Sequence, residues 1–129
     1  MINNIKSLIL VFLITGITIS SCKKTEYSFG NLVSPSDVTL TATISGASNA
    51  TPNGDGTGKV SIHVTANNAI TYKIDFGDGT TKLVPSGTID YKYLTPGINE
   101  FTIVANVVGT GGITSTLSKK VKVFVDFQI

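Results

Sequence analysis

From Val38 onward the side chains alternate with a period of two, and no stretch keeps a helical period. Val38, Leu40, Ala42 and Ile44 alternate with Thr39, Thr41 and Thr43. Successive side chains of a strand point to opposite faces, so such a run makes a strand with one apolar and one polar side. Val60, Ile62 and Val64 repeat the pattern against Ser61, His63 and Thr65, and Tyr72, Ile74 and Phe76 against Lys73 and Asp75. Further strands are expected over Thr88–Tyr93, over Phe101, Ile103, Ala105 and Val107, and from Val121 through Val123, Val125 and Phe127 to Ile129. Turn chemistry separates them: Ser48–Gly58 is rich in Asn, Gly and Asp, and Gly77-Asp78-Gly79, Thr95-Pro96-Gly97 and Gly109–Gly112 follow. Short alternating strands at this spacing predict an all-β protein, an Ig-like β-sandwich. The chain has one Cys and no Trp, so aliphatic and aromatic packing alone must hold the sandwich.

The N-terminal segment has a different grammar. Lys6 supplies a positive charge, Ser7 to Ser21 carries none, and Leu8–Ile14 is continuously apolar. A membrane span needs about 20 predominantly apolar residues, whereas a run this short matches the central region of a secretory signal. It ends Ile19-Ser20-Ser21-Cys22, which resembles the lipobox of bacterial lipoproteins. Residues 1–21 are therefore expected to be a lipoprotein signal peptide and Cys22 the lipidated residue. An ordinary signal with an incidental Cys is the lesser alternative, since this is the chain's only Cys. Two or more acyl chains anchor a protein stably, where one holds it only marginally. Residues 22–37 form the lipidated Cys and a tether, in which Tyr27–Asp37 holds Gly30, Asn31, Ser34, Pro35 and Ser36. Residues 38–129 form the domain. No Asp follows Cys22; Lys23-Lys24-Thr25-Glu26 does. The expected address is the outer membrane, with exposure at the cell surface as a further step.

Without the signal about 108 residues remain, close to the ~100 of one sandwich. They carry nine Lys and no Arg against eight acids. That balance excludes electrostatic capture of nucleic acid, which needs a concentrated basic face. Lys119, Lys120 and Lys122 are expected on the solvated side of a strand.

Tyr72-Lys73-Ile74-Asp75-Phe76-Gly77-Asp78-Gly79 resembles the signature of the PKD (polycystic kidney disease) domain. Tyr93 fits the family's Tyr before a Pro-Gly turn, here Pro96-Gly97, and Phe101, Ile103, Ala105 and Asn106 fit its following strand. The resemblance runs from about Val38 to Val125. Ile74 stands where the family has Trp, and Asp90 where His is common. Anchor, tether and motif together are similar to the N-terminal region of Bacteroidota surface glycan-binding proteins and of some anchored glycan-degrading enzymes. The resemblance implies a non-catalytic spacer, or a binding module, in capture of extracellular polysaccharide.

The motif also has a physical account of its own. Gly77 and Gly79 permit positive φ in a tight turn. Asp75 and Asp78 can accept hydrogen bonds from nearby backbone N–H groups, and Phe76 points into the core. Asp75, Phe76, Gly77, Asp78 and Gly79 are therefore a structural turn. No catalytic set is found. Asp75 and Asp78 sit in one short turn, which offers no cleft between glycosidase carboxylates. His63 is the single histidine, on an outer face with no expected nucleophile beside it. Asn53–Gly58 resembles half of a calcium loop, but the twelfth position is Val64, not Glu. A Gly-rich turn is preferred there over a weak surface Ca²⁺ site, and no cofactor is expected. Tyr91 and Tyr93 share a face by alternation. Turned outward they would be tentative ligand contacts, a platform for sugar rings; the core is the preferred placement.

The expected function is non-enzymatic. Its partners are the membrane, through lipid on Cys22, and a polysaccharide or an outer-membrane protein. The alternatives are the leader of an anchored glycoside hydrolase and an adhesion module using a sheet edge. The apolar alternation reaching Ile129 suggests a chain that once continued, or still does in relatives, into another domain.

Overall fold

The computed structural model describes residues 30–127. The signal segment, Cys22 and the tether up to residue 29 lie outside the described residues, as do Gln128 and Ile129. The described residues form β1 (Ser36–Ile44), β2 (Lys59–Asn67), β3 (Ala69–Asp75), β4 (Thr81–Leu83), β5 (Thr88–Lys92), β6 (Gly97–Gly109) and β7 (Thr114–Val125). A single 3₁₀ turn, Thr110–Gly112, joins the last two. The strands make two antiparallel sheets, one ordered β1-β2-β5 and the other β4-β3-β6-β7.

The alternation becomes the two faces of each sheet. Val60, Ile62 and Val64 of β2 turn inward with Leu40 of β1. They meet Ile74 of β3, Ile103, Ala105 and Val107 of β6, and Val121 and Val123 of β7. Burying each Val, Leu or Ile side chain is worth about 1.5–3 kcal/mol. Ile74 is fully buried. The outer face of the three-stranded sheet carries Thr39, Thr41 and Thr43 opposite Thr65, His63 and Ser61.

The strand bounds differ from the sequence expectation in three places. β1 begins at Ser36, inside the stretch expected to be tether. The tether's last residues are held too: Pro35 is buried and its carbonyl accepts a 2.7 Å hydrogen bond from Ser115 Oγ. β4 was not anticipated, because all three of its residues are exposed and it shows no alternation. β7 starts seven residues before Val121 and stops at Val125, and Phe127 is 73% exposed.

The chain enters at one pole of the sandwich and leaves at the other. Ser115, at the start of β7, is bonded to Pro35 just before β1. At the far pole, Asn53 and Gly56 of the β1–β2 loop accept hydrogen bonds from Phe124 and Asp126, each 2.8 Å. The 12 residues of β7, at about 3.3 Å each, span roughly 36 Å between the poles.

Candidate functional site

The motif turn is closed by its own carboxylates. Asp75 Oδ1 accepts from Gly77 N–H at 2.8 Å and Asp78 Oδ1 from Thr80 N–H at 3.0 Å. Gly77 has φ +80°, and a Cβ there would stand 2.5 Å from the Thr102 carbonyl oxygen. The turn can therefore lie against β6 only with glycine at this position.

Phe76 is fully buried and begins a file of aromatic rings. Its ring stacks on Tyr91 at 3.7 Å between centroids, Tyr91 meets Tyr93 edge-on at 4.9 Å, and Tyr93 stacks on Phe101 at 4.0 Å. The Tyr93 hydroxyl donates to the Phe76 carbonyl at 2.7 Å, and the Tyr91 hydroxyl donates to Asp78 Oδ2. Burial raises both phenols above the ordinary tyrosine range; for Tyr91 the Asp78 hydrogen bond adds to it. The structure thus corrects the sugar platform. Tyr93 has no exposed surface, and Tyr91 is half-buried with one ring face covered by Phe76. Their shared face is the core face, because β5 runs over the motif turn.

His63 has a hydroxyl neighbour after all: Thr88 Oγ1 lies 2.7 Å from its Nδ1. Ser61 shares the face but donates to Asp90. The histidine is thus paired with one strand neighbour and the serine with another. A relay needs the base between nucleophile and carboxylate. In the Asn53–Gly58 loop, Asp55 is a clasp. Its Oδ1 accepts from the Thr57 backbone at 3.0 Å and the Thr57 hydroxyl at 2.6 Å, and its Oδ2 from Ser45 at 3.2 Å. Those bonds, Thr57's first, hold its carboxyl below the ordinary value. Among the described residues no group of three or more His, Cys, Asp or Glu could hold a metal ion.

A concave feature lined by both acids and lysines lies at the pole where β7 ends. It is a cleft of about 410 Å³ between the Asp55–Thr57 segment, Lys59, Lys92, Leu94, Pro96 and Asp126. Lys59 and Lys92 face each other directly across β2 and β5. Residue spacing carries no sign of this pair, since 33 positions separate two residues that only the register joins.

No protein-family model matches the chain, and no curated protein does. Solved structures do. The PKD1 domain of Epp from Vibrio anguillarum superposes with a TM-score of 0.53 at 18% identity, over 74% of this chain and 99% of that one. The PKD1 domain of the Vibrio cholerae metalloprotease PrtV gives 0.54 at 18%, over 72% and 100%. The fold is that of a PKD domain. In this PKD-type sandwich the motif and the aromatic file are framework. The polar cleft lies at the pole opposite Pro35, with Lys92 and Leu94 of its lining flanking Tyr93. Among the described residues no helix is long and apolar enough to cross a membrane.

Proposed function

We propose that this chain is a non-catalytic PKD-type module, anchored at the outer membrane by lipid on Cys22. It acts as a spacer or binding module in the capture of extracellular polysaccharide. One observation carries the spacer part: the first and last strands start at one pole and end at the other, so the domain adds its whole length to any chain that runs through it. Two strands joined as a hairpin would return the chain to its starting point. The anchor rests on the Ile19-Ser20-Ser21-Cys22 sequence. The polysaccharide rests on the family resemblance, which is an argument by analogy.

The test is fractionation and binding on the expressed chain. The wild type is expected in the detergent phase of a cloud-point separation, and Cys22→Ala in the aqueous phase. Equal partitioning of the two defeats the anchor. Affinity gels with β-glucan, starch, xylan and mannan then separate the two roles. Saturable retention makes the module a capture device. A folded domain that ignores every glycan, neutral or acidic, leaves it a spacer.

A further inference from the structure

We propose that the cleft between Lys59 and Lys92 binds the anionic groups of an acidic polysaccharide, so that the module takes its glycan at the pole remote from the tether. This rests on the capture reading above and names a site and a substrate class for it.

The two lysines are the reason. They are directly opposed in the register of β2 and β5, and both are exposed on the same outer face. Directly opposite residues have Cβ atoms about 4.5–5.5 Å apart, and like charges so placed are destabilising. At ordinary salt the screening length is about 8–10 Å, so the two ammonium groups lie within each other's field. Among the described residues neither has a carboxylate at ion-pair distance; the ion pair there joins Lys120 and Glu100. Asp90, on the same face, lines a neighbouring hollow with Lys59 and accepts from Ser61. A carboxylate or sulfate lodged between the lysines would convert the repulsion into two charge-assisted hydrogen bonds.

The rest of the cleft suits a sugar. Leu94 is 74% exposed and, with Pro96, gives an apolar wall for the C–H face of a ring. Asp126 and Thr57 on the other side offer partners for hydroxyls. Asp55 is already clasped to Thr57 and Ser45, so both of its carboxylate oxygens are engaged within its own loop. The volume, about 410 Å³, falls in the roughly 300–1,000 Å³ range of small-molecule sites. A neutral glycan would use only the hydroxyl partners of the cleft; an acidic one also uses the opposed lysines.

The experiment uses the full chain in non-ionic detergent, titrated with polygalacturonate, dextran sulfate and mannan. Saturable binding of polygalacturonate assigns the anion to carboxylate, and of dextran sulfate to sulfate. In either case Lys59→Gln and Lys92→Gln should each weaken binding tenfold or more. The combined variant Lys119→Gln, Lys120→Gln, Lys122→Gln should stay within twofold of wild type. Thermal midpoints of the two single variants should equal or exceed the wild type's, since repulsion is lifted; that separates lost binding from lost folding. The proposal is overturned if neither acidic polymer binds, if mannan binds as tightly, or if the loss follows the Lys119–Lys122 cluster. Binding of mannan alone sinks this site and leaves the capture reading standing. Retention of no glycan at all removes both.

Discussion

At the scale of single residues, the fold depends on groups that join the motif turn to the strands packed on it. Tyr93 is fully buried, and its hydroxyl serves the Phe76 carbonyl. Tyr93→Phe keeps the ring stack on Phe101 and removes that donor. Leaving a buried acceptor unmet costs about 1–3 kcal/mol. The urea midpoint should fall with the m-value unchanged; an unmoved midpoint would mean that water reaches the carbonyl. The two glycines of the turn separate steric from conformational cost. Both have positive φ, but a Cβ at Gly77 meets the Thr102 backbone while one at Gly79 meets nothing within 4 Å. Gly79→Ala should cost about 1–2 kcal/mol for the left-handed backbone alone. Gly77→Ala should cost distinctly more, because β6 must move as well. Equal losses in a denaturation series would show that the turn relaxes away from β6. Asp55 supplies a pH dependence. Hydrogen bonds from Thr57 and Ser45 depress its folded-state value below the ordinary 3.8. Its contribution is therefore present above the unfolded value and is lost as pH falls through the folded one. The thermal-midpoint gap between wild type and Asp55→Asn should be widest near neutral pH and narrow as the pH falls below 3.8. A gap that is flat with pH would assign the clasp no ionic character.

At the scale of elements, the polar residues on β7 explain why the chain does not advertise its edges. β7 is an edge strand of twelve residues. The register sets Lys119 against Ile103, on the core side, and Lys120 and Lys122 against Thr102 and Glu100, on the outer side. The sequence expectation placed all three lysines on one solvated side. It failed because neighbours in a strand must face oppositely, and because the first half of β7 is exposed on both faces. An inward-pointing charge on an edge is a known guard against pairing with another chain. It also weighs against adhesion through this edge. Lys119→Val should shift the protein toward oligomers in light scattering at equal concentration, while Lys120→Val should not. A Lys119→Val protein that stays at the wild-type mass would show that the edge is guarded by something else. What was legible follows the same physics. β2, β5 and most of β6 were readable because one face of each is buried, and burial writes a period of two into the sequence. β4 and the start of β7 were not, because most of their residues stay exposed and no pattern is imposed. Tyr91 and Tyr93 were readable as a pair on one face; which face depended on the motif turn lying under β5. Lys59 opposite Lys92 is a register fact, and single-chain spacing carries no register.

At the scale of the whole molecule, the placement of the two poles decides what a tethered domain can do. β1 starts beside the start of β7, and β7 ends against the β1–β2 loop. The segment before Ser36 and the segment after Val125 are therefore about a strand's length apart, roughly 36 Å at about 3.3 Å per residue over β7. The polar cleft lies at the far pole with Asp126 in its wall. Its distance from the tether is then set by a rigid sandwich and not by a flexible coil. A coil of the same few dozen residues would hold no fixed separation, since its end-to-end distance grows only as about the square root of its length. The chain has a single Cys, so the geometry can be measured in a Cys22→Ala background. Spin labels at Ser34→Cys and Phe127→Cys should give one narrow distance distribution centred near 35 Å, plus the reach of the labels. Adding a glycan that occupies the cleft should leave that distance unchanged, because the cleft is built on the ends of paired strands. A broad distribution would mean that the entry segment is not held to Ser115, and the module would then lift its cleft by no defined amount. A distance under about 20 Å would place both ends at one pole and remove the physical basis for a spacer.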